Sequence, residues 1–190
     1  MSTILKIYTD GACSGNQSDS NLGGWGAILE FGEHKKELYG SASDTTNNKM
    51  ELTAVIEALK ELKRDGLNIE IFTDSSYIAN CFREKWYVNW EKNNWKTTKK
   101  TAVENRMLWE ELLALVRKHT SVTFFRVKGH VNIDNPFDQR RCALRKIYPK
   151  KRLSRYKHQK IRCSVPIFLP GRSIRNTHRQ DDRQKRDTYS

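Results

Sequence analysis

Apolar residues alternate or run in short blocks at five places along the chain and recur at helical spacing at three others. "ILKIYTDGA" is a short strand with partial alternation that ends in Asp10-Gly11. "CSGNQSDSNLGG" is turn chemistry throughout, and "GWGAILEFG" and "HKKELYGSA" read as two strands meeting near Gly32, so the first three strands form an antiparallel meander. In "TTNNKMELTAVIEALKELKRDG", residues Met50, Ala54, Val55, Ala58, Leu59 and Leu62 share one side of a helix that Thr or Asn caps and Gly66 ends. "LNIEIFTDSS" predicts a fourth strand, and "SYIANCFREKW" a helix starting just after Asp74. "YVNWEKNNWKTTKKT" mixes aromatics with lysines. "AVENRMLWEELLALVRKHT" predicts an amphipathic helix with Met107, Leu108, Leu112, Leu115 and Val116 on one side, and "SVTFFRVKGH" a fifth strand ending at His130. That order predicts an α/β domain with a five-stranded mixed sheet flanked by helices.

Three acids fall at corresponding places in these elements. Asp10 and Asp74 each end an apolar strand, and Glu51 lies early in the first helix. Singly they are ordinary, since a strand-end Asp forms turns or caps and a helical Glu faces solvent. Ligands in α/β sheets, however, bind beyond the carboxyl ends of strands, where two strand-end aspartates and a helical glutamate could converge on one cluster. Clustered carboxylates repel one another unless a cation neutralises them, and Mg²⁺, which prefers oxygen ligands and is completed by substrate phosphates, is the natural occupant. Two such ions can activate water and stabilise a leaving oxygen in phosphodiester hydrolysis.

The charge pattern adds an appendage to this domain. Residues 1–137 carry 18 Lys+Arg and 18 Asp+Glu, whereas residues 138–190 carry 17 and 4, so the formal net charge of +13 lies entirely in the tail. The tail has no Glu, no sustained apolar period, and three of the four prolines, which reads as a solvated, unfolded segment. The expected division is a domain over 1–145 and a basic tail over 146–190. A basic tail suits nucleic acid or another anionic surface, a solubilising role, or text never selected as protein. The four scattered cysteines and the absence of a leader pattern predict a reduced, cytoplasmic protein without a disulfide framework. No apolar run approaches the roughly 20 residues of a membrane span. Cys142, His158 and Cys163 match no usual zinc spacing.

"YTDGACSGN", "TTNNKMELTAVIEAL", "IFTDSSYI", "WYVNWEKNNWKT", "ENRMLWEEL" and "VKGH" resemble, in order and spacing, the successive signatures of the type 1 ribonuclease H family, over residues 1 to about 137. The resemblance implies the ribonuclease H fold and a metal-dependent endonuclease that cuts the RNA strand of RNA–DNA hybrids, leaving 5′-phosphate and 3′-hydroxyl ends. It implies Mg²⁺, with Mn²⁺ as a substitute, a hybrid duplex as partner, and a monomer. Asp10, Glu51 and Asp74 match three of the family's four metal-binding acids, and His130 the histidine that moves protons near the scissile phosphate. Cys13, Asn16, Asn47 and Asn48 stand where the family contacts the hybrid, whose 2′-hydroxyls need polar readers. Lys85, Trp86, Tyr87, Trp90, Lys92, Trp95 and Lys96, with Lys99 and Lys100, resemble its basic substrate-binding protrusion, whose tryptophans are better suited to packing than to stacking on paired bases. Ser76 departs from the longer amide that relatives often carry.

The fourth acid is missing. "FDQRRCALRK" puts Asp138 at an Asn-like position and Arg141-Cys142-Ala143 where the family has its last aspartate. Asp138 or Asp134 could substitute, the protein could be a weakened hybrid binder, or the reading frame could have slipped near Phe137. The joint change of charge balance, Glu content and periodicity at one point favours the slip, which leaves the last helix degraded or absent. An active endonuclease therefore competes with a hybrid-binding module without turnover, and with another nuclease or integrase of the same superfold.

Overall fold

A computed structural model describes residues 4–14 and 21–127. Its first three strands, β1 (Leu5–Ser14), β2 (Leu22–Phe31) and β3 (His34–Ser43), form the expected meander, with Gly32 in the left-handed region (φ 60°) supplying the tight turn between β2 and β3. Helix α1 (Asn47–Lys60) returns the chain so that β4 (Asn68–Thr73) lies parallel to β1. The remaining elements are α2 (Ser76–Arg83), α3 (Trp86–Lys92), α4 (Arg106–Val116) and β5 (Ser121–Arg126), the last parallel to β4. The strand order is β3-β2-β1-β4-β5, a five-stranded mixed sheet flanked by helices.

The core lies on one face of this sheet. Leu5, Ile7, Leu29, Ile69 and Ile71 bury their side chains with Leu52, Val55, Ile56 and Leu59 of α1 and Trp109, Leu112 and Leu113 of α4. Helix α1 is buried on more than its predicted stripe, since Leu52 and Ile56 are also enclosed, because the sheet and α4 both pack on it. On the other face Tyr8, Phe72 and Phe125 stack in a row across three strands, with ring centroids 5.1 Å apart at each step.

Several local expectations change. Strand β1 does not end at Asp10-Gly11 but runs on to Ser14, because β2 continues to pair with it through Ser14↔Leu22. Helix α1 ends at Lys60 rather than near Gly66; the charged Lys63-Arg64-Asp65 run forms a loop instead, held by Gly66 N–H donating to the Lys118 carbonyl at 2.9 Å. The single helix expected over 76–86 breaks at Lys85, which adopts φ 54°, and a separate α3 follows. Helix α4 begins at Arg106, not Ala102, since the preceding residues pair back on the protrusion through Lys96↔Ala102 and Val103 N–H to the Trp95 carbonyl. Its buried stripe centres on Trp109, so Met107, two residues or about 200° away, is 83% exposed rather than apolar-side.

Candidate active site

Parallel pairing of β1 with β4 ends at Thr9↔Thr73, so Asp10 and Asp74 are the next residues on two neighbouring parallel strands. They stand at the carboxyl edge of the parallel part of the sheet, the side on which such sheets bind ligands. Although β1 continues along β2, Asp10 thus keeps a strand-end position toward β4.

Glu51 reaches the same edge through a close backbone contact. A Cβ placed on Gly11 would lie 2.5 Å from the Glu51 amide nitrogen, 2.6 Å from the Met50 carbonyl carbon and 2.9 Å from the Glu51 Cα. Only a residue without a side chain lets β1 approach α1 this closely, and the contact seats the Glu51 backbone against the residue that follows Asp10. Thr46 fixes the start of that helix, its side chain accepting from Lys49 N–H at 3.3 Å. From the other direction, the Ser75 hydroxyl, next to Asp74, donates to Glu51 Oε2. Asp10, Glu51 and Asp74 are all half-buried and come from β1, α1 and the loop after β4.

Among the described residues, no group of three or more His, Cys, Asp and Glu is arranged to hold a metal ion by itself. Mg²⁺ keeps waters and takes one or two carboxylates plus substrate phosphates rather than a complete protein cage. An all-oxygen set of half-buried carboxylates fits a hard divalent cation. His130, Asp134, Asp138 and the 141–143 segment lie outside the described residues.

Beside the acids, the end of β1 is tied to the start of α1. Cys13 N–H donates to Asn47 Oδ1 at 2.6 Å, and the Cys13 thiol donates to the Thr45 carbonyl at 3.4 Å. Burial pushes the Cys13 thiol pKa up, which keeps the proton for that bond. Asn21 braces the same corner, its Oδ1 accepting from Thr45 N–H at 2.8 Å. With its oxygen engaged, Asn47 presents its amide N–H groups as donors, and neighbouring Asn48 is half-buried. Asn16 lies outside the described residues.

The protrusion rests on a cluster of tilted and edge-on tryptophans. Trp86 and Trp90 are 6.3 Å apart, Trp90 and Trp95 are 6.2 Å apart, and Trp90 meets the buried Trp109 edge-on at 5.5 Å. Trp95 is only 8% exposed, with the Arg106 guanidinium over its ring at 5.6 Å, so it supports the protrusion from within. Arg117 holds Glu91 through two bonds of 2.7 and 2.8 Å, fastening α3 to the end of α4. Lys92, Lys96, Lys99 and Lys100 are exposed on this scaffold.

Gly11 and Ser75 are the site residues that sequence reading missed. Asp-Gly after a strand reads as a turn, and Ser75 as a helix cap; neither pattern reveals a contact with a helix 40 or 24 residues away.

The sequence profile of the RNase H family matches residues 2–140. A protein named Ribonuclease H from Clostridium botulinum (strain Hall) is 52% identical over 134 residues, covering 70% of this chain and 87% of that one. Another from Chlorobium luteolum is 51% identical over 140 residues, covering 74% and 91%. Among solved structures, LC9-RNase H1, described as a type 1 RNase H with the type 2 active-site motif, aligns with TM-score 0.64 at 28% identity over 76% of this chain and 71% of that one. A foamy viral protease-reverse transcriptase in complex with dsDNA shares the fold, with TM-score 0.52 at 23% identity over 73% of this chain and 90% of that one.

Proposed function

The chain belongs to the ribonuclease H family, and from that membership we propose that it is an endonuclease hydrolysing the RNA strand of RNA–DNA hybrids to 5′-phosphate and 3′-hydroxyl ends. What supports this reading is that Asp10 and Asp74 directly follow the last parallel pair of β1 and β4, while the Glu51 backbone packs on Gly11 and its carboxylate accepts from Ser75. These three carboxylates would hold Mg²⁺, with Mn²⁺ as its substitute. A divalent cation held there would supply Lewis-acid activation of water and stabilisation of the leaving 3′-oxygen, and a second one would share that work.

The chain's own residues do the rest. Asn47 and Asn48, at the start of α1, offer polar groups to a minor groove lined with 2′-hydroxyls, and Cys13, whose N–H donates to Asn47, adjoins them; Asn16, outside the described residues, is assigned the same role from the family motif alone. The exposed lysines of the protrusion, Lys92 and Lys96 foremost, neutralise phosphates of the hybrid while Trp86, Trp90 and Trp95 hold them in place. His130, beyond β5, moves a proton at the scissile phosphate. Asp138 is the candidate substitute for the missing fourth acid. No helix among the described residues is long and apolar enough to cross a membrane.

The test is cleavage of a hybrid labelled on its RNA strand, with Mg²⁺ and separately Mn²⁺, against Asp10→Asn as background. Cleavage above that background supports the enzyme. Retained hybrid binding with no cleavage supports the second reading, a hybrid-binding protein, which the Arg141-Cys142-Ala143 sequence at the fourth-acid position favours. Equal cleavage by both proteins refutes the metal site.

A further inference from the structure

Ser75 is 2% exposed and its hydroxyl makes two bonds. It accepts from Ile78 N–H at 3.4 Å, capping α2, and it donates to Glu51 Oε2. Its position is itself held, since Ser75 N–H donates to Thr73 Oγ1 at 3.2 Å and the Thr73 carbonyl accepts from Val127 N–H at 2.9 Å. One small side chain therefore links the acid on α1 to the turn that carries Asp74.

Three neighbouring carboxylates push one another apart, and a glutamate with several free torsions can swing away to relieve the repulsion. A Lys or Arg would hold Glu51, but its charge would compete with a bound cation for the same oxygens. A hydroxyl avoids this: it fixes the direction of one oxygen and leaves the negative charge in place. Resting on the metal-site reading above, we propose that Ser75 is the positioning residue of Glu51, holding Oε2 so that Oε1 is presented to the divalent cation, and so sets the cation affinity of the site. Hydrogen-bond partners of metal-binding carboxylates change affinity by roughly 10- to 100-fold when removed.

The test is Mn²⁺ binding to the full chain without hybrid, followed by the paramagnetic resonance of free Mn²⁺, for wild type, Ser75→Ala, Glu51→Gln and the double variant. The Mg²⁺ concentration for half-maximal cleavage is read in parallel where cleavage occurs. Ser75→Ala is expected to weaken Mn²⁺ binding about tenfold or more, and the double variant to bind no more weakly than Glu51→Gln. Ser75→Gly guards against a folding defect, because Gly at a helix cap costs far less than Ala while equally removing the hydroxyl; it should show the same loss. A cap-only role predicts a lower Tm with unchanged Mn²⁺ affinity, or losses that multiply in the double variant, and either result overturns the proposal. If Glu51→Gln itself leaves Mn²⁺ binding unchanged, the metal-site reading fails and this inference with it.

Discussion

Gly11→Ala tests the contact that builds the site. The new methyl would sit 2.5 Å from the Glu51 amide nitrogen and 2.6 Å from the Met50 carbonyl carbon, and these are backbone atoms that cannot rotate aside. Reaching ordinary van der Waals separation, 3.4 Å at the least, requires β1 and α1 to part by about 0.9 Å at this point. Helix α1 is packed on both the sheet and α4, so the shift is resisted and overpacking of this kind costs roughly 1–3 kcal/mol. Displacing a reacting group by about 1 Å can cost on the order of 100-fold in rate. The expected outcome is a folded protein whose Tm drops by several degrees, whose cleavage rate falls by roughly two orders of magnitude, and whose hybrid affinity falls far less than its rate, because the phosphate-binding lysines of the protrusion are untouched. Differential scanning calorimetry and single-turnover cleavage measure the two losses. Wild-type rate together with wild-type Tm would show that the approach of β1 to Glu51 has no role in placing the acid.

Lys96→Ala should weaken hybrid binding at low salt and reduce the slope of log affinity against log salt by roughly one, with the cleavage rate at saturating hybrid unchanged; an unaltered slope places Lys96 off the phosphate path. His119 gives a pH prediction. Burial holds its imidazole below the usual pKa of 6.5, with Asp65 opposing and Lys118 reinforcing the shift, and its Nδ1 is buried without a hydrogen-bond partner. The unfolded chain therefore binds this proton more readily, so the stability His119 contributes is complete above about pH 6.5 and lost as pH falls through its lower folded value. Replacing His119 with Gln should flatten the decline of Tm below pH 6.5, and parallel Tm curves for the two proteins would contradict the assignment.

Local pattern was enough to read the five strands, the helix carrying Glu51 and the identities of the three acids, because alternation, helical spacing and turn chemistry are written in neighbouring residues. The edge they share also follows from ordinary α/β geometry once the strands are recognised. The family's motif order named the polar residues expected around them. Boundaries were less legible: the break at Lys85, the late start of α4 and the exposure of Met107 depend on how the protrusion folds back on Trp109, a contact between segments about 20 residues apart. Register was illegible too. That Asp10 sits in the middle of β1 yet at the end of its parallel pairing follows from β2 and β4 gripping different lengths of the same strand. The backbone approach at Gly11 and the bond from Ser75 to Glu51 exist only once residues from β1, α1 and β4 are packed together. The sequence by itself determined which groups could do the chemistry; tertiary packing decided where they point, because orientation is set by contacts between residues that are distant along the chain.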